Sequence, residues 1–118
     1  MSGSPETVWR EALAEGRLTL QRARGSGAII FPPRLMEPGS GDGDMEWIEA
    51  SGLGTIYSVT IIHPKPPAAP YNVVLVDLDE GARLMSRVVG HGAVTIGLRV
   101  RARIERDGDE PLLLFEPA

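Results

Sequence analysis

Two histidines, His63 and His91, are the only side chains of this 118-residue chain that ordinarily titrate near neutrality, and the chain has no cysteine. Either histidine would need a nucleophile or a second base beside it to act in acyl or proton transfer, and no such group stands at a suggestive spacing. His63, followed by Pro64 at a strand end, reads as a hydrogen-bonding residue. Asp77, Asp79 and Glu80 could in principle hold a hard cation. They lack the alternating oxygen ligands of a cation loop, and a hairpin turn with solvated charges fits them better. Ser51-Gly52-Leu53-Gly54 resembles a phosphate-cradling loop, but no lysine follows and the segment leads into a strand, where glycines permit close backbone approach. Arg87, Arg99, Arg101 and Arg103 could form a basic stripe for single-stranded nucleic acid, the phosphates of coenzyme A or an acidic partner. No residue is assigned a catalytic role.

The elements that must position these residues follow from pattern. Ser4 caps a helix with Pro5 at its first position; Trp9, Ala12 and Leu13 share one side, and Gly16 ends it. So short a helix needs a packing surface, which makes Trp9 either a core anchor or a partner contact. Residues 17–22 alternate as a short strand. Arg24-Gly25-Ser26-Gly27 and Glu37-Pro38-Gly39-Ser40 flank the apolar Ala28-Ile29-Ile30-Phe31, the spacing of a two-knuckle metal ribbon. From Met45 onward the chain reads as strands: 45–49, 54–63, 71–77, 82–89, 98–106 and a closing strand at 112–115, with turns at Asp79-Glu80-Gly81 and Asp107-Gly108. Leu98, Val100, Ala102 and Ile104 face one way, and Arg99, Arg101, Arg103 and Glu105 the other. This suits a small Greek-key barrel of the oligonucleotide/oligosaccharide-binding (OB) type or a small sandwich, and there is too little helix for a doubly wound fold. The segment Pro64-Lys65-Pro66-Pro67-Ala68-Ala69-Pro70, with four prolines in seven residues, is stiff and extended, either a docking loop or an inert spacer.

A net charge of −4 argues against a partner held mainly through phosphates. The first residues lack a basic segment followed by an apolar run, so the expectation is a soluble cytoplasmic protein with no membrane span.

Several stretches, in order along nearly the whole chain, resemble the acyl-CoA-associated zinc-ribbon/OB-fold family, long known as domain of unknown function thirty-five. They are 8–22 (through Leu18-Thr19-Leu20-Gln21-Arg22), Pro33-Arg34, 51–63 (Ser-Gly-Leu-Gly-Thr-Ile-Tyr-Ser and onward), Pro70-Tyr71, and Val74 to the Asp79-Glu80-Gly81 hairpin. The resemblance implies an all-β protein with small α content: an N-terminal helix and a metal-free, degenerate zinc-ribbon segment over 1–44, then an OB-fold barrel over 45–118. The family's four zinc-binding cysteine positions fall on Ala23, Ser26, Glu37 and Ser40. Alanine cannot ligate, serine is a poor zinc ligand, and one carboxylate makes no tetrahedral site, so neither metal nor other cofactor is expected.

The function implied is that of a non-catalytic subunit that binds and stabilises an acyl-CoA-handling catalytic partner and shapes its substrate channel. The partner would be a thiolase-like condensing enzyme or aldolase, or a hotdog-fold hydratase. Trp9, Phe31, Pro33 and Arg34 are the candidate partner contacts; Tyr57, His63 and Tyr71 are the candidates to approach the acyl-CoA path. Single-stranded nucleic-acid binding by the barrel is the alternative, disfavoured by the acidic balance and by having only two tyrosines and two phenylalanines beyond Trp9 and Trp47.

Overall fold

The computed structural model describes residues 4–36, 39, 41, 43–90 and 92–118. Helix α1 (Pro5–Ala14) starts where the Ser4 hydroxyl accepts the Thr7 N–H at 3.3 Å, and it stops where the Gly16 N–H bonds the Leu13 carbonyl at 2.9 Å. Gly16 sits at φ +83°, a conformation that favours glycine. Ala12 and Leu13 are buried, and the half-buried Trp9 ring meets Phe31 edge-on, centroids 5.7 Å apart.

Strands β1 (Thr19–Ala23), β2 (Ile29–Ile30) and β3 (Met45–Glu49) form an antiparallel sheet in the order β2-β1-β3. The sequence pattern groups 45–49 with the barrel strands; in the structure it completes the N-terminal sheet instead. Leu20 stands opposite Ile48, and Arg22 opposite Glu46, whose carboxylate its guanidinium meets at 2.7 Å. Leu20 and Arg22 share one face of the strand, so an apolar pair and a charged pair follow one another along it.

The second sheet contains β4 (Leu53–Ile62), β5 (Tyr71–Leu78), β6 (Arg83–Ser86), β7 (Arg99–Asp107) and β8 (Glu110–Pro117), all antiparallel, in the order β6-β5-β4-β7-β8. It curls until its ends meet. After β6, the Arg87 carbonyl accepts the Phe115 N–H at 2.9 Å and the Val89 N–H reaches the Phe115 carbonyl at 2.8 Å. The result is an OB-type barrel, one of the two architectures the strand pattern allows and the one the resemblance implies, mostly β with one short helix. Gly54 explains how β4 can lie so close to β5: a Cβ there would sit 2.8 Å from both the Asp77 carbonyl oxygen and Val76 Cγ1.

Ile56, Val74, Val76, Val100 and Phe115 fill the barrel interior, and Leu13, Leu18 and Leu20 belong to the same apolar cluster. Helix, ribbon-like sheet and barrel therefore share one core. Among the described residues no helix is long and apolar enough to cross a membrane.

Candidate functional site

The two groups of predicted site residues lie on different parts of the molecule. Trp9 and Phe31 come together in the edge-on pair, with Pro33 half-buried and the Arg34 side chain exposed just beyond. The indole Nε1 of Trp9 is buried with no acceptor among the described residues. What fixes this corner is a residue sequence reasoning missed. Gln21, only 3% exposed, accepts the Arg34 N–H at 2.6 Å and donates to the Arg34 carbonyl at 2.9 Å. The same turn displays Leu35 and Met36, large apolar side chains left mostly in water.

The metal-ligand positions of the ribbon do not fit a zinc ion. Ala23 is fully buried, and its backbone closes a tight turn, donating to Ala28 at 2.9 Å and accepting from Gly27 at 2.7 Å. Ser26 Oγ accepts the Ala28 N–H at 3.2 Å. Glu37 and Ser40 lie outside the described residues, as does His91. No group of three His, Asp or Glu side chains converges among the described residues. Ion pairs tie β1 to the start of β3: Arg22 to Glu46, and Arg24 to both Asp44 (3.2 Å) and Glu46 (3.6 Å). The hydrogen bond from Arg22 holds the Glu46 carboxyl below its ordinary pKa.

On the barrel, Tyr57 occupies a bulge between Ile56 and Ser58, half exposed, with the Arg83 guanidinium 3.5 Å above its ring. Arg83 also grips Asp77 through two bonds of 2.6 and 3.1 Å. Beside them Leu75 pairs with Met85, which is 71% exposed. Tyr71 stands opposite Ile62, next to the exposed His63, with Arg87 5.0 Å from its ring centroid. Ile62 lies five positions after Tyr57 on β4, about 16 Å of strand. Tyr57, Tyr71 and His63 therefore form no single cluster, but two tyrosine–arginine pairs, one midway along the β4–β5 hairpin and one at its loop end. At the Tyr71 end a pocket of about 250 Å³ is lined by Ile61, Pro70, Tyr71, Asn72 and Val94. Both halves of the Asn72 amide are engaged by the Val88 backbone, at 2.8 and 2.9 Å, so the pocket presents mainly hydrocarbon.

Of the expected basic stripe, Arg99, Arg101 and Arg103 sit in an ion-pair lattice, whereas Arg87 lies against the Tyr71 ring. Arg99 makes two bonds to Asp79 (2.7 and 2.8 Å) and one to Thr55 (2.9 Å); Arg101 binds Glu116 at 2.9 Å, and Arg103 pairs with Glu105 and Glu116. Arg99 and Arg101 find their carboxylates on a turn and on β8, a match that alternation within one strand cannot reveal, while Arg103 has one on its own strand and one on β8. Hydrogen bonding to arginine depresses the pKa of Asp77, Asp79 and Glu116. The carboxylates of 77–80 are thereby engaged one by one, Glu80 accepting the Ser51 N–H at 2.8 Å, and they do not converge as a cation site.

Residues 47–105, from within β3 to within β7, match the family model of the ChsH2 C-terminal OB-fold domain. The chain is 31% identical over 117 residues to a DUF35 domain-containing scaffold protein of Methanocaldococcus jannaschii, covering 91% of this chain and 83% of that protein. The chain belongs to the DUF35 family. This DUF35 chain is also 36% identical, over 116 residues, to a probable enoyl-CoA hydratase alpha subunit of Thermomonospora curvata. The match takes in 93% of this chain but 36% of that protein, so the DUF35 chain spans about a third of its length. Among solved structures it superposes on a chain of the Ltp2-ChsH2(DUF35) aldolase with a TM-score of 0.85 and 34% identity, covering 98% of this chain and 95% of that one.

Proposed function

We propose that this DUF35 protein is a non-catalytic accessory subunit that binds and supports an acyl-CoA-handling enzyme, either a thiolase-like aldolase or condensing enzyme or a hydratase. The observation that carries the reading is the near-complete superposition on the DUF35 chain of a two-component aldolase. The scaffold name of the archaeal relative supports the non-catalytic part, and the hydratase subunit supports the acyl-CoA part.

In this reading the Trp9–Phe31 corner, with Pro33 and Arg34, contacts the partner. The Gln21 clamp matters because it presets the backbone of that corner before docking, lowering the ordering cost of association. Tyr57, His63 and Tyr71 face the acyl-CoA path, and the hydrocarbon-lined pocket beside Tyr71 suits an apolar portion of the substrate or channel. The nucleic-acid alternative is weakened by the arginine lattice, since Arg99, Arg101 and Arg103 already hold carboxylates.

The test is acyl-CoA turnover by the aldolase or hydratase encoded nearest to this chain, measured alone and with the chain added. The reading predicts no turnover by this chain alone and a gain in activity or stability of the catalytic subunit when both are present. Turnover by the chain alone overturns it.

A further inference from the structure

The outer edge of β3 has backbone groups with no partner. The Arg24 N–H bonds the Asp44 carbonyl at 3.0 Å and the Ala50 N–H bonds the Leu18 carbonyl at 2.8 Å. In an antiparallel ladder that fixes the alternation, so residues 44, 46, 48 and 50 turn their backbone groups to β1, while Met45, Trp47 and Glu49 turn theirs outward. The Met45 N–H is engaged locally by the Gly43 carbonyl at 3.0 Å. The N–H groups of Trp47 and Glu49 have no partner among the described residues. This is an open strand edge of the kind that accepts another strand.

A groove of about 280 Å³ adjoins that edge, between α1 and the face of the sheet that carries Thr19 and Trp47. Its charged lining is Glu11, Glu15 and Arg17. Arg17 is engaged by Glu15 at 2.7 Å and Glu49 at 3.8 Å, whereas the Glu11 carboxylate has no partner among the described residues. With Glu49 the local balance is three carboxylates to one guanidinium. The Thr19 hydroxyl, in a residue 5% exposed, also lacks a partner, and the Trp47 ring edges the groove half in water. Negative charge beside an aromatic face and an apolar Val8 wall is the complement of a lysine or arginine side chain, stem and head together.

We propose that an extended segment of the catalytic partner, basic at alternate positions, adds to β3 as a fourth strand of the N-terminal sheet and lays a cationic side chain into this groove. Side chains opposite Trp47 on an added strand project on the α1 side, so edge and groove are read by one segment. The inference rests on the accessory-subunit reading and names a second contact for it, apart from the Trp9–Phe31 corner.

The test is the affinity between the full chain and its co-expressed catalytic subunit for the wild type, Glu49→Pro and Glu11→Lys. Proline at 49 removes an outward N–H without removing a bond to β1, and Glu11→Lys reverses the charge of the groove. Each is expected to weaken binding by about tenfold or more, the size of one or two lost interfacial interactions, with the melting temperature unchanged. The Glu11→Lys loss should shrink as salt is raised. If Glu49→Pro fails to fold, Glu11→Lys combined with Glu49→Lys takes its place. Wild-type affinity in the variants overturns the strand-addition proposal while leaving the accessory reading intact; a wild-type chain that binds no catalytic subunit overturns both. A self-association of the chain that Glu49→Pro abolishes also overturns it, by giving the edge to a second copy.

Discussion

The side-chain amide of Gln21 closes two hydrogen bonds on the backbone of Arg34, accepting the N–H at 2.6 Å and donating to the carbonyl at 2.9 Å. It joins the first strand of the ribbon to its second loop, the junction that a bound metal would otherwise brace. Gln21→Met keeps the volume and removes both bonds, stranding a backbone donor and acceptor in a partly buried site. The expected loss is about 1–3 kcal/mol in urea unfolding. Gln21→Glu retains the acceptor and, at neutral pH, loses the donor, so its loss should be partly recovered when the carboxyl is protonated. Equal stability of both variants with the wild type would contradict the role given to the clamp.

Gly54 and Gly43 should respond oppositely to the same substitution. A Cβ at Gly54 meets the Asp77 carbonyl and Val76 Cγ1 at 2.8 Å, and the backbone oxygen cannot swing away as a flexible side chain would. Gly54→Ala is expected to cost about 1–3 kcal/mol as an overpacked site. At Gly43 the nearest atom is 3.7 Å away and no positive φ is required, so Gly43→Ala should be neutral or slightly stabilising. Thermal melts of the two variants side by side check this.

The arginine lattice makes stability sensitive to acid in a defined direction. Asp77, Asp79, Glu46 and Glu116 have pKa values lowered in the folded protein by hydrogen bonds from Arg83, Arg99, Arg22 and Arg101 respectively. A lowered folded-state pKa contributes stability that is fully present above the unfolded value, about 4 for these groups, and is lost as pH falls through the folded value. Unfolding free energy should therefore be flat between about pH 5 and 7 for these groups and decline below about pH 4. Because the pairs are exposed, the slope should flatten in high salt. A stability that rises on acidification through this window would contradict the assignment.

Chelation should do nothing. Ala23 has no ligating atom and the Ser26 hydroxyl is engaged by the Ala28 N–H, so zinc is not expected to hold the ribbon-like sheet. A molar excess of a strong chelator is expected to leave the melting temperature unchanged, and elemental analysis to find well under one zinc per chain. Stoichiometric zinc, or a large chelator-induced drop, would contradict this.

Features fixed by neighbouring residues were legible in the sequence. The Ser4 cap and Gly16 stop of α1, the Asp107-Gly108 hairpin and the alternation of 98–105 all depend on residues close by in sequence. Features fixed by distant partners were not. Nothing within 45–49 says that it pairs with β1 and not with a barrel strand. The stretch 17–22 alternates as if one face were wet, yet Thr19 and Gln21 are buried, because α1 and the Arg34 turn lie over that face. Arg99 and Arg101 looked like a free basic face because their carboxylates come from the Asp79 turn and from β8. For the candidate site, Trp9 and Phe31 were readable as large apolar residues in want of a packing surface, and their edge-on pairing is a tertiary contact. The pairing of Tyr57 with Arg83 and of Tyr71 with Arg87 was hidden by the strand register that creates it.

The central claim is that this DUF35 chain works as part of a complex. The measurement that tests it most directly is size-exclusion chromatography with light scattering on the chain co-expressed with its nearest aldolase or hydratase catalytic subunit. The account predicts one species whose mass is the sum of both subunits in a fixed ratio, persisting as salt is raised. Separate elution of the two at every salt concentration would contradict it.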